Sequence, residues 1–373
     1  MRILGFGTYD VRSHPRVAVL IDGLRAHGHT VEQLNYPLGV GTSGRVAALK
    51  SPRAALGFGL TLIRRWASLA TGSMRFRGAN APDAILVGYM GHFDVLLARL
   101  LYPRTKILLD HLIFAADTAA DRRLDGGAKT KILQTLDNLA LRTADVIILD
   151  TPDHAQMVPE KWQEKSVVVA VGAPEVWFEA QSGTRAGAPV SDPDSRTSVV
   201  FFGLFTPLQG TPTIARALTL LAERGIEVDV TLVGTGQDES ECREILSGDL
   251  GCVNVTWLDW VASADLPAFV AGFDICLGIF GDSGKALRVV PNKAYQGMAA
   301  GCALITSDTP VQRAMLGEAS FVPAADPVAL ADAIEALVTS PSDLERAKRC
   351  SVERAAQAFH PYSVTTPLDK VLR

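Results

Sequence analysis

The feature that most constrains the fold is an alternation of short apolar segments and helical segments, repeated on both sides of one polar stretch. Apolar runs at 2–6, 83–88 and 106–110 are typical of buried parallel strands, and the same alternation resumes at 199. The stretch between the two halves, 181–197, is rich in Ser, Gly, Pro and Asp and has no apolar periodicity, which is typical of a linker. The pattern predicts an α/β chain of two Rossmann-like domains, each a doubly wound parallel sheet, facing each other across a cleft.

The domain boundaries follow from the position of this linker. We predict an N-terminal domain at 1–180, the linker at 181–197, and a C-terminal domain at 198–350. The last segment, 351–373, is predicted to be a helix that packs back toward the N-terminal domain. A length of 373 residues also favours two domains over one.

The amino-acid composition limits the cellular compartment and the kinds of binding partner that we expect. The net charge of −4 and the hydrophobic fraction of 48% are typical of a globular protein and give no indication of a nucleic-acid partner. The five cysteines are odd in number and lack CxxC spacing, which favours reduced thiols over disulfides or a metal site. The chain opens directly into a strand, and its apolar runs fall short of the ~20 residues of a membrane span. We therefore expect a cytoplasmic protein with no signal peptide and no metal.

The stretch 281–307 carries the chemistry that the sequence predicts most sharply. A glycine-bearing loop holds Lys285 and Arg288, and a small-residue helix follows, which Pro291 opens because proline does not fit inside a helix. The free N–H groups at this helix start, together with the loop cations and Lys293, are typical of a site for a diphosphate. The alternative is a basic loop that is merely solvated.

Two histidines follow successive predicted strands of the first half. His111, preceded by Asp110, comes at the end of one strand, and His92 comes just after the previous one. Open α/β sheets bind their ligands beside the carboxyl ends of their strands, so both histidines are candidate site residues. A structural role for each histidine is equally open.

A third feature is the stretch 33–82, which contains arginines and lysines and no acidic residue. Within it, 54–70 is apolar, long enough for a helix, and contains the sequence Arg-Arg-Trp. A cationic apolar helix with an interfacial tryptophan suits docking on an anionic membrane surface, which we predict for 45–77. The alternative is a core helix that covers the sheet and carries arginines on its rim.

Several segments of the second half resemble one enzyme family. VVFFGLFTPLQGTPTIARAL resembles the G-R-L-x-P-x-K-G opening of its donor domain, and TLVGTGQDESECREIL resembles its V-G-x-G strand and helix. The stretch with RVVPNK resembles its donor-binding helix in the subgroup that reads R-x-x-P-N-K. The chain thus resembles glycosyltransferases of the GT-B fold, closest to the group 1 or family 4 enzymes.

The resemblance implies a function and a set of partners. It implies transfer of a sugar from a nucleoside-diphosphate sugar to a glycan, lipid-linked or small-molecule acceptor. Retention at the anomeric carbon is implied, with no metal and no further cofactor. A non-catalytic nucleotide-sugar-binding relative remains an alternative, as does a sugar-nucleotide epimerase or hydrolase of the same fold.

The chain also departs from the family at its functional positions. The family's arginine and lysine near the diphosphate fall on Leu204 and Gln209, and its paired glutamates fall on Arg288 and Gln296. We expect the cations of 281–307 to supply the missing positive charge, and Gln296 to hydrogen-bond a ribose hydroxyl.

The resemblance also implies roles in both domains. His111 matches the family's acceptor-side histidine and, with Asp110, is the catalytic candidate; His92 is expected on the acceptor side. The residues expected to contact the donor are Gly7, Gly203, Gln209, Gly234, Lys285, Arg288, Asn292, Lys293 and Gln296.

Overall fold

A computed structural model describes residues 1–11, 15–39, 51–112, 114–115, 117, 127–187 and 196–373. The chain divides into two compact units: Met1–Val169 together with Val364–Arg373, and Ala170–Ser363. Each unit is built on a six-stranded sheet in which every pair of neighbouring strands is parallel. The predicted fold class, two Rossmann-like doubly wound domains, is confirmed.

The sheet of the first unit has the strand order β2-β1-β3-β4-β5-β6. Its four central strands are buried on both faces, as the continuous apolar runs predict, and helix residues complete the core. The strands are β1 (Arg2–Gly7), β2 (Thr30–Asn35), β3 (Ala84–Val87), β4 (Lys106–Asp110), β5 (Val146–Leu149) and β6 (Ser166–Val168). The helices are α1 (Arg16–Ala26), α2 (Pro52–Ser73), α3 (Asp94–Leu101), α4 (Gly127–Thr143), α5 (Pro152–Met157) and α6 (Glu160–Gln163).

The sheet of the second unit has the order β12-β11-β10-β7-β8-β9. Numbered within the unit, this is the 3-2-1-4-5-6 order of dinucleotide-binding folds. The strands are β7 (Ser198–Phe202), β8 (Val228–Val233), β9 (Val253–Leu258), β10 (Ile275–Leu277), β11 (Ala303–Ser307) and β12 (Ser320–Val322). The helices are α7 (Glu175–Gly187), α8 (Thr211–Glu223), α9 (Glu239–Ile245), α10 (Leu266–Ala271), α11 (Asn292–Ala299), α12 (Pro310–Leu316), α13 (Pro327–Thr339) and α14 (Pro341–Ala358). The last helix, α15 (Pro361–Leu372), belongs to the first unit from Val364 onward.

The unit boundaries differ from those placed by the sequence pattern. The division falls after Val169 rather than at 180, and helix α7 covers the first part of the stretch interpreted as a linker at 181–197. Residues 188–195 of that stretch lie outside the described residues. Helix α7 is anchored by Trp177, which is 3% exposed and stacks on Phe202 with ring centroids 5.8 Å apart. This packing of an aromatic side chain overrides the weak helical propensity of the polar residues that follow.

The last residues of the chain contact the first unit. Asp369 on α15 accepts a hydrogen bond from His29 Nε2 at 2.8 Å, and Arg373 contacts the same carboxylate at 2.8 Å. Burial of the group opposes ionisation, but hydrogen bonding to His29 and the nearby cations leave the pKa of Asp369 lowered.

Helix α2 lies in the acid-free stretch and has two distinct faces. Its inner face packs on the first unit through Leu69, and Trp66 Nε1 donates a hydrogen bond to Asp94 Oδ1 at 3.0 Å. Trp66 is therefore half-buried against the protein, and its place at a membrane interface stays a prediction. No helix among the described ranges is long and apolar enough to span a membrane.

Candidate functional site

The candidate donor site lies where the strand order of the second unit reverses. Strands β7 and β10 are neighbours there, and the chain leaves them in opposite directions across the sheet. Ligands of open α/β sheets bind outside the carboxyl ends of the strands at this switch point. The loop after β7 carries Gly203 and Gln209, and the segment after β10 carries Lys285, Arg288 and Lys293.

These two loops cross in direct backbone contact. Phe280 N donates to Gln209 O at 3.0 Å. A Cβ atom built on Gly210 would lie 2.4 Å from the carbonyl carbon of Phe280, and one built on Gly281 would lie 2.2 Å from Pro207 O. Both distances are far inside van der Waals contact, so the crossing requires glycine on each loop. The crossing fixes the residues of one loop against those of the other.

Lys293 brings its amine to the loop after β7. Pro291 caps α11, as predicted, so Lys293 lies in the first turn of the helix. Its side chain runs into the protein, is 5% exposed, and places Nζ 2.6 Å from Gln209 Oε1 and 3.6 Å from the ring centroid of Phe201. Burial lowers the pKa of this amine well below its usual range.

The geometry brings Gln209, which replaces a lysine of the family pattern, into contact with Lys293, which we expect to supply the missing charge. The position that the family fills with lysine is occupied by Gln209, and the amine of Lys293 arrives at its carbonyl oxygen. An amine is thus supplied at this place from the helix rather than from the loop.

Gly203 and Gly234 lie one behind the other beside this amine. A Cβ on Gly203 would come 2.8 Å from Lys293 Nζ, and a Cβ on Gly234 would come 1.9 Å from Gly203 O. Both residues have positive φ, 148° and 133°, where a side chain would be strained. Gly203 therefore borders the candidate site, while Gly234 supports the loop that forms it.

The remaining donor candidates lie along the same segment. Lys285 caps a 3-10 turn, Ala286–Arg288, and both cations are partly exposed. Asn292 is the first residue of α11 and is half-buried, and Gln296 is buried one turn further along the helix. All of these residues belong to one continuous stretch at the carboxyl edge of the sheet, as predicted, and their contact with a donor stays a prediction.

Gly7 lies at the corresponding switch point of the first unit, between β1 and β3. Its surroundings are filled by Asp94 at the start of α3. Thr8 donates to Asp94 Oδ2 through its backbone N at 2.7 Å and through its hydroxyl at 2.8 Å. A Cβ on Gly7 would lie 3.0 Å from the same oxygen. The geometry gives Gly7 a packing role, and its predicted donor contact is untested.

Asp110 is part of a buried ion pair. Its Oδ1 accepts from Arg16 Nε at 2.7 Å, and Arg16 Nη2 donates to Val169 O at 3.0 Å. Both side chains are 1% exposed. Burial raises the pKa of Asp110, against the opposing effect of the Arg16 guanidinium. Arg16 thus ties the start of α1 to the ends of β4 and β6.

His111 and His92 come together at the carboxyl edge of the first sheet, as the sequence predicts for residues after successive strands. Their ring centroids are 4.9 Å apart, and both side chains are buried. Asp137, on α4, accepts from His92 Nε2 at 3.0 Å and from Ala115 N at 3.0 Å. Burial, reinforced by His92 and His154, lowers the pKa of His111 well below its usual range, so His111 is neutral at pH 7.

These three side chains also form a group of metal-binding character. One nitrogen or oxygen atom from each of His92, His111 and Asp137 lies within 4.8 Å of the others. Two imidazoles and a carboxylate are ligands that transition metals accept, so this cluster is where the prediction of no metal can be tested. Among the described residues, His111 Nε2 has no hydrogen-bond partner.

Sequence reasoning missed Arg16, Asp137 and Asp94. Each is a charged residue within or at the start of a helix, where a charge is normally solvent-exposed. The signal that was available for Asp94 is its place in the first turn of a helix directly after GYMGHF. For Arg16 and Asp137 the sequence carries no such signal.

Comparison with known proteins finds one family model that matches most of the second unit. The family model described as Glycosyl transferases group 1 matches residues 196–340. A search of curated protein sequences finds no match. The predicted resemblance to this class of glycosyltransferase is confirmed for residues 196–340.

Solved structures share the fold of the whole chain. Sucrose-phosphate synthase from Thermosynechococcus elongatus matches with a TM-score of 0.68 at 14% identity, covering 100% of this chain and 98% of that one. HepE from Anabaena, solved with UDP and glucose, matches with a TM-score of 0.62 at 13% identity over 100% and 99%. A UDP-forming α,α-trehalose-phosphate synthase from Burkholderia vietnamiensis matches with a TM-score of 0.65 at 14% identity over 99% and 96%. At these identities the likeness shows the GT-B fold that these proteins share with the chain.

Proposed function

We propose that the protein transfers a sugar from a nucleoside-diphosphate sugar to a hydroxyl of a glycan, lipid-linked or small-molecule acceptor. The observation that carries the proposal is the convergence of Lys293 and Gln209 at the switch point of a group 1 glycosyltransferase domain. Transfer is proposed to be retaining and independent of metal. The support for metal independence is that the cations Lys285 and Arg288 lie on the same segment as the Lys293 amine.

The reaction breaks the bond between the anomeric carbon and a diphosphate oxygen, and forms a bond between that carbon and the acceptor oxygen. The electron pair of the broken bond stays on the diphosphate, and the acceptor hydroxyl passes its proton to a diphosphate oxygen. Negative charge therefore grows on the diphosphate as the bond breaks. The N–H groups at the start of α11 and the Lys293 amine are suited to stabilise that charge because they are held in place before the reaction.

The named neighbours indicate which nucleotide to test first. HepE has been solved with UDP and with UDP-glucose, and the trehalose-phosphate synthase is UDP-forming. We propose a nucleoside-diphosphate donor of this kind, with Gln296 hydrogen-bonding a ribose hydroxyl. On the acceptor side we propose His111 and His92 as contacts to the sugar or its acceptor, with Asp137 as a positioning residue for His92.

The test is calorimetric binding of UDP, GDP, ADP and dTDP, followed by turnover of the matching glucose nucleotide. Selective binding of one nucleotide together with release of its diphosphate supports the transferase. Tight binding with no turnover across many acceptors would favour the non-catalytic relative, which the replacement of the paired glutamates by Arg288 and Gln296 makes the main alternative. Turnover that needs no acceptor would favour a hydrolase. No binding by the folded protein would overturn the proposal.

We further propose that α2 docks the protein on the anionic cytoplasmic leaflet of a membrane. Leu56, Leu60 and Ile63 follow a helical spacing and are 66%, 50% and 63% exposed, and Met74 just beyond the helix is 71% exposed. Exposed arginines border this apolar stripe, and 33–82 contains no acidic residue. An apolar stripe with cations suits an anionic lipid surface. The residues 40–50, with Arg45 and Lys50, lie outside the described residues.

Placing charge on this stripe is expected to abolish vesicle binding. The double variant Leu60→Glu, Ile63→Glu should bind vesicles of phosphatidylcholine and phosphatidylglycerol at least about 100-fold more weakly, because burying each apolar side chain contributes roughly 1.5–3 kcal/mol. The matched control is Leu100→Glu, a change at a position on α3 that is 77% exposed, which should bind as the wild type does. Cosedimentation measures both. Equal binding by the two variants, or none by the wild type, would contradict the docking proposal.

A further inference from the structure

Lys293 carries an amine that is buried without an opposite charge. Its Nζ contacts the amide oxygen of Gln209 and the ring face of Phe201, both uncharged. Across the described parts of the chain, the ionisable side chain that acts on this amine is Cys276, on β10. Burial raises the pKa of the Cys276 thiol to about 12, so the thiol is neutral and supplies no counter-charge.

Such a site holds an uncharged amine better than an ammonium ion. Transfer of an ammonium group from water into an apolar interior is costly unless a carboxylate or phosphate pairs with it. A neutral amine needs one hydrogen bond, which Gln209 Oε1 accepts at 2.6 Å. The attraction of the Phe201 ring for a cation is worth only about 0.5–2 kcal/mol and does not replace an ion pair.

Binding of a diphosphate would change the balance between the uncharged and the ammonium form of Lys293. Two phosphate groups at the loop after β7 would supply the negative charge that the described residues around Nζ lack. The ammonium form of Lys293 would then be favoured over the uncharged amine. Gln209 would keep its hydrogen bond in either state, because an amine and an ammonium both donate to an amide oxygen. Gly203 leaves room for this to happen, since a Cβ there would lie 2.8 Å from Nζ.

We propose that donor binding is coupled to the uptake of one proton by Lys293. This inference rests on the proposed function. The proton comes from solvent and joins the free electron pair of the amine, and the resulting charge pairs with a diphosphate oxygen. A lysine at position 209 would have placed a second cation beside Nζ and opposed the uptake of a proton, whereas the Gln209 amide oxygen accepts from Nζ in either state, so the glutamine is a positioning residue for the amine.

The uptake of one proton on binding determines how the affinity for the donor changes with pH. Because the complex holds one more proton than the free protein and ligand, affinity falls as pH rises, by up to tenfold per pH unit. The phosphate groups do not cause this effect above about pH 8, since their second pKa lies near 6.

The test measures proton uptake directly. The nucleoside diphosphate that binds best in the panel is titrated calorimetrically at about pH 8 in buffers of different ionisation enthalpy. The wild type should take up close to one proton. The Lys293→Arg variant should bind with no uptake, since a guanidinium stays charged. Uridine, or the nucleoside of whichever base binds, should give no uptake with the wild type because it lacks the diphosphate.

The outcomes separate this inference from the function on which it rests. Nucleotide binding by the wild type with no proton uptake, and no weakening between about pH 7.5 and pH 9, would overturn the inference and leave the proposed function intact. Uptake that persists in a folded Lys293→Arg variant would overturn the assignment to Lys293. If the arginine variant does not fold, the pH dependence of wild-type binding, compared with that of the nucleoside, decides the matter. Failure of the wild type to bind any nucleotide would overturn both.

Discussion

Replacing Lys293 with methionine is expected to lower kcat/KM by about 10²–10³-fold, a loss of roughly 3–4 kcal/mol of transition-state stabilisation. The amine lies at the switch point and is held by Gln209 at 2.6 Å, so it is fixed in place before charge develops on the diphosphate. The measurement is the release of the nucleoside diphosphate from its sugar nucleotide in a coupled assay.

The same substitution is expected to leave the melting temperature unchanged or to raise it. Methionine fills a similar volume and removes a buried polar group that has no counter-charge. A loss of activity combined with retained stability marks a side chain kept for function at a cost in stability. A merely structural role would lower both quantities together.

The matched control is Lys348→Met in the same unit. Lys348 is a partly exposed lysine whose Nζ pairs with Asp274 Oδ1 at 2.9 Å, away from the loops after β7 and β10. Its loss should change kcat/KM by no more than about twofold, because an exposed ion pair contributes little. Wild-type activity in a folded Lys293→Met variant would remove Lys293 from the mechanism.

The fold could be predicted from the sequence because its strands are buried on both faces. Runs such as 83–88 and 145–150 are apolar at nearly every position, so they indicate parallel strands without any knowledge of their partners. Strand β12 of the second sheet, with three residues, has no such run and could not be predicted. Likewise, α7 depends on the stacking of Trp177 on Phe202, a long-range contact that local propensity does not encode.

The candidate donor site was predictable to the level of its segment. Pro291, the glycines and the loop cations are local signals, and the structure places them at one edge of one sheet. The partner of Lys293 was not predictable, because Gln209 lies 84 positions away along the chain. The sequence showed only that the family's lysine is missing from position 209.

The acceptor side was less predictable still. His92 and His111 could be named because they follow strands, but the residues that orient such side chains come from elsewhere. Asp137 lies in the middle of α4, and Arg16 lies at the start of α1. A buried charge in a helix has no sequence pattern that distinguishes it from an exposed one.

Replacing Arg16 with leucine is expected to lower the free energy of unfolding by about 3–5 kcal/mol, because it leaves the Asp110 carboxylate buried without its partner. The control on the same helix is Arg25→Leu. The Arg25 side chain is 47% exposed and its ion pair with Asp22 spans 3.3 Å, so its loss should cost at most about 1 kcal/mol. Urea unfolding followed by circular dichroism measures both variants.

The pH dependence of the stability and a second substitution show whether the unpaired Asp110 carboxylate causes the loss of stability in Arg16→Leu. Burial raises the pKa of Asp110 in the folded protein, and more so without Arg16, whereas the unfolded value is about 3.9. At pH values between these two pKa values, the folded Arg16→Leu variant therefore binds an extra proton relative to its unfolded state. Its loss in free energy of unfolding should shrink as pH falls and should reach its full size above the pKa of folded Asp110. Adding Asp110→Asn removes the buried charge and should recover part of the lost stability. The contrary result is a loss in free energy of unfolding that is equal at about pH 5 and pH 8, with no recovery in the double variant. It would mean that Arg16 stabilises the end of β4 by packing alone and that Asp110 remains free for a role in catalysis.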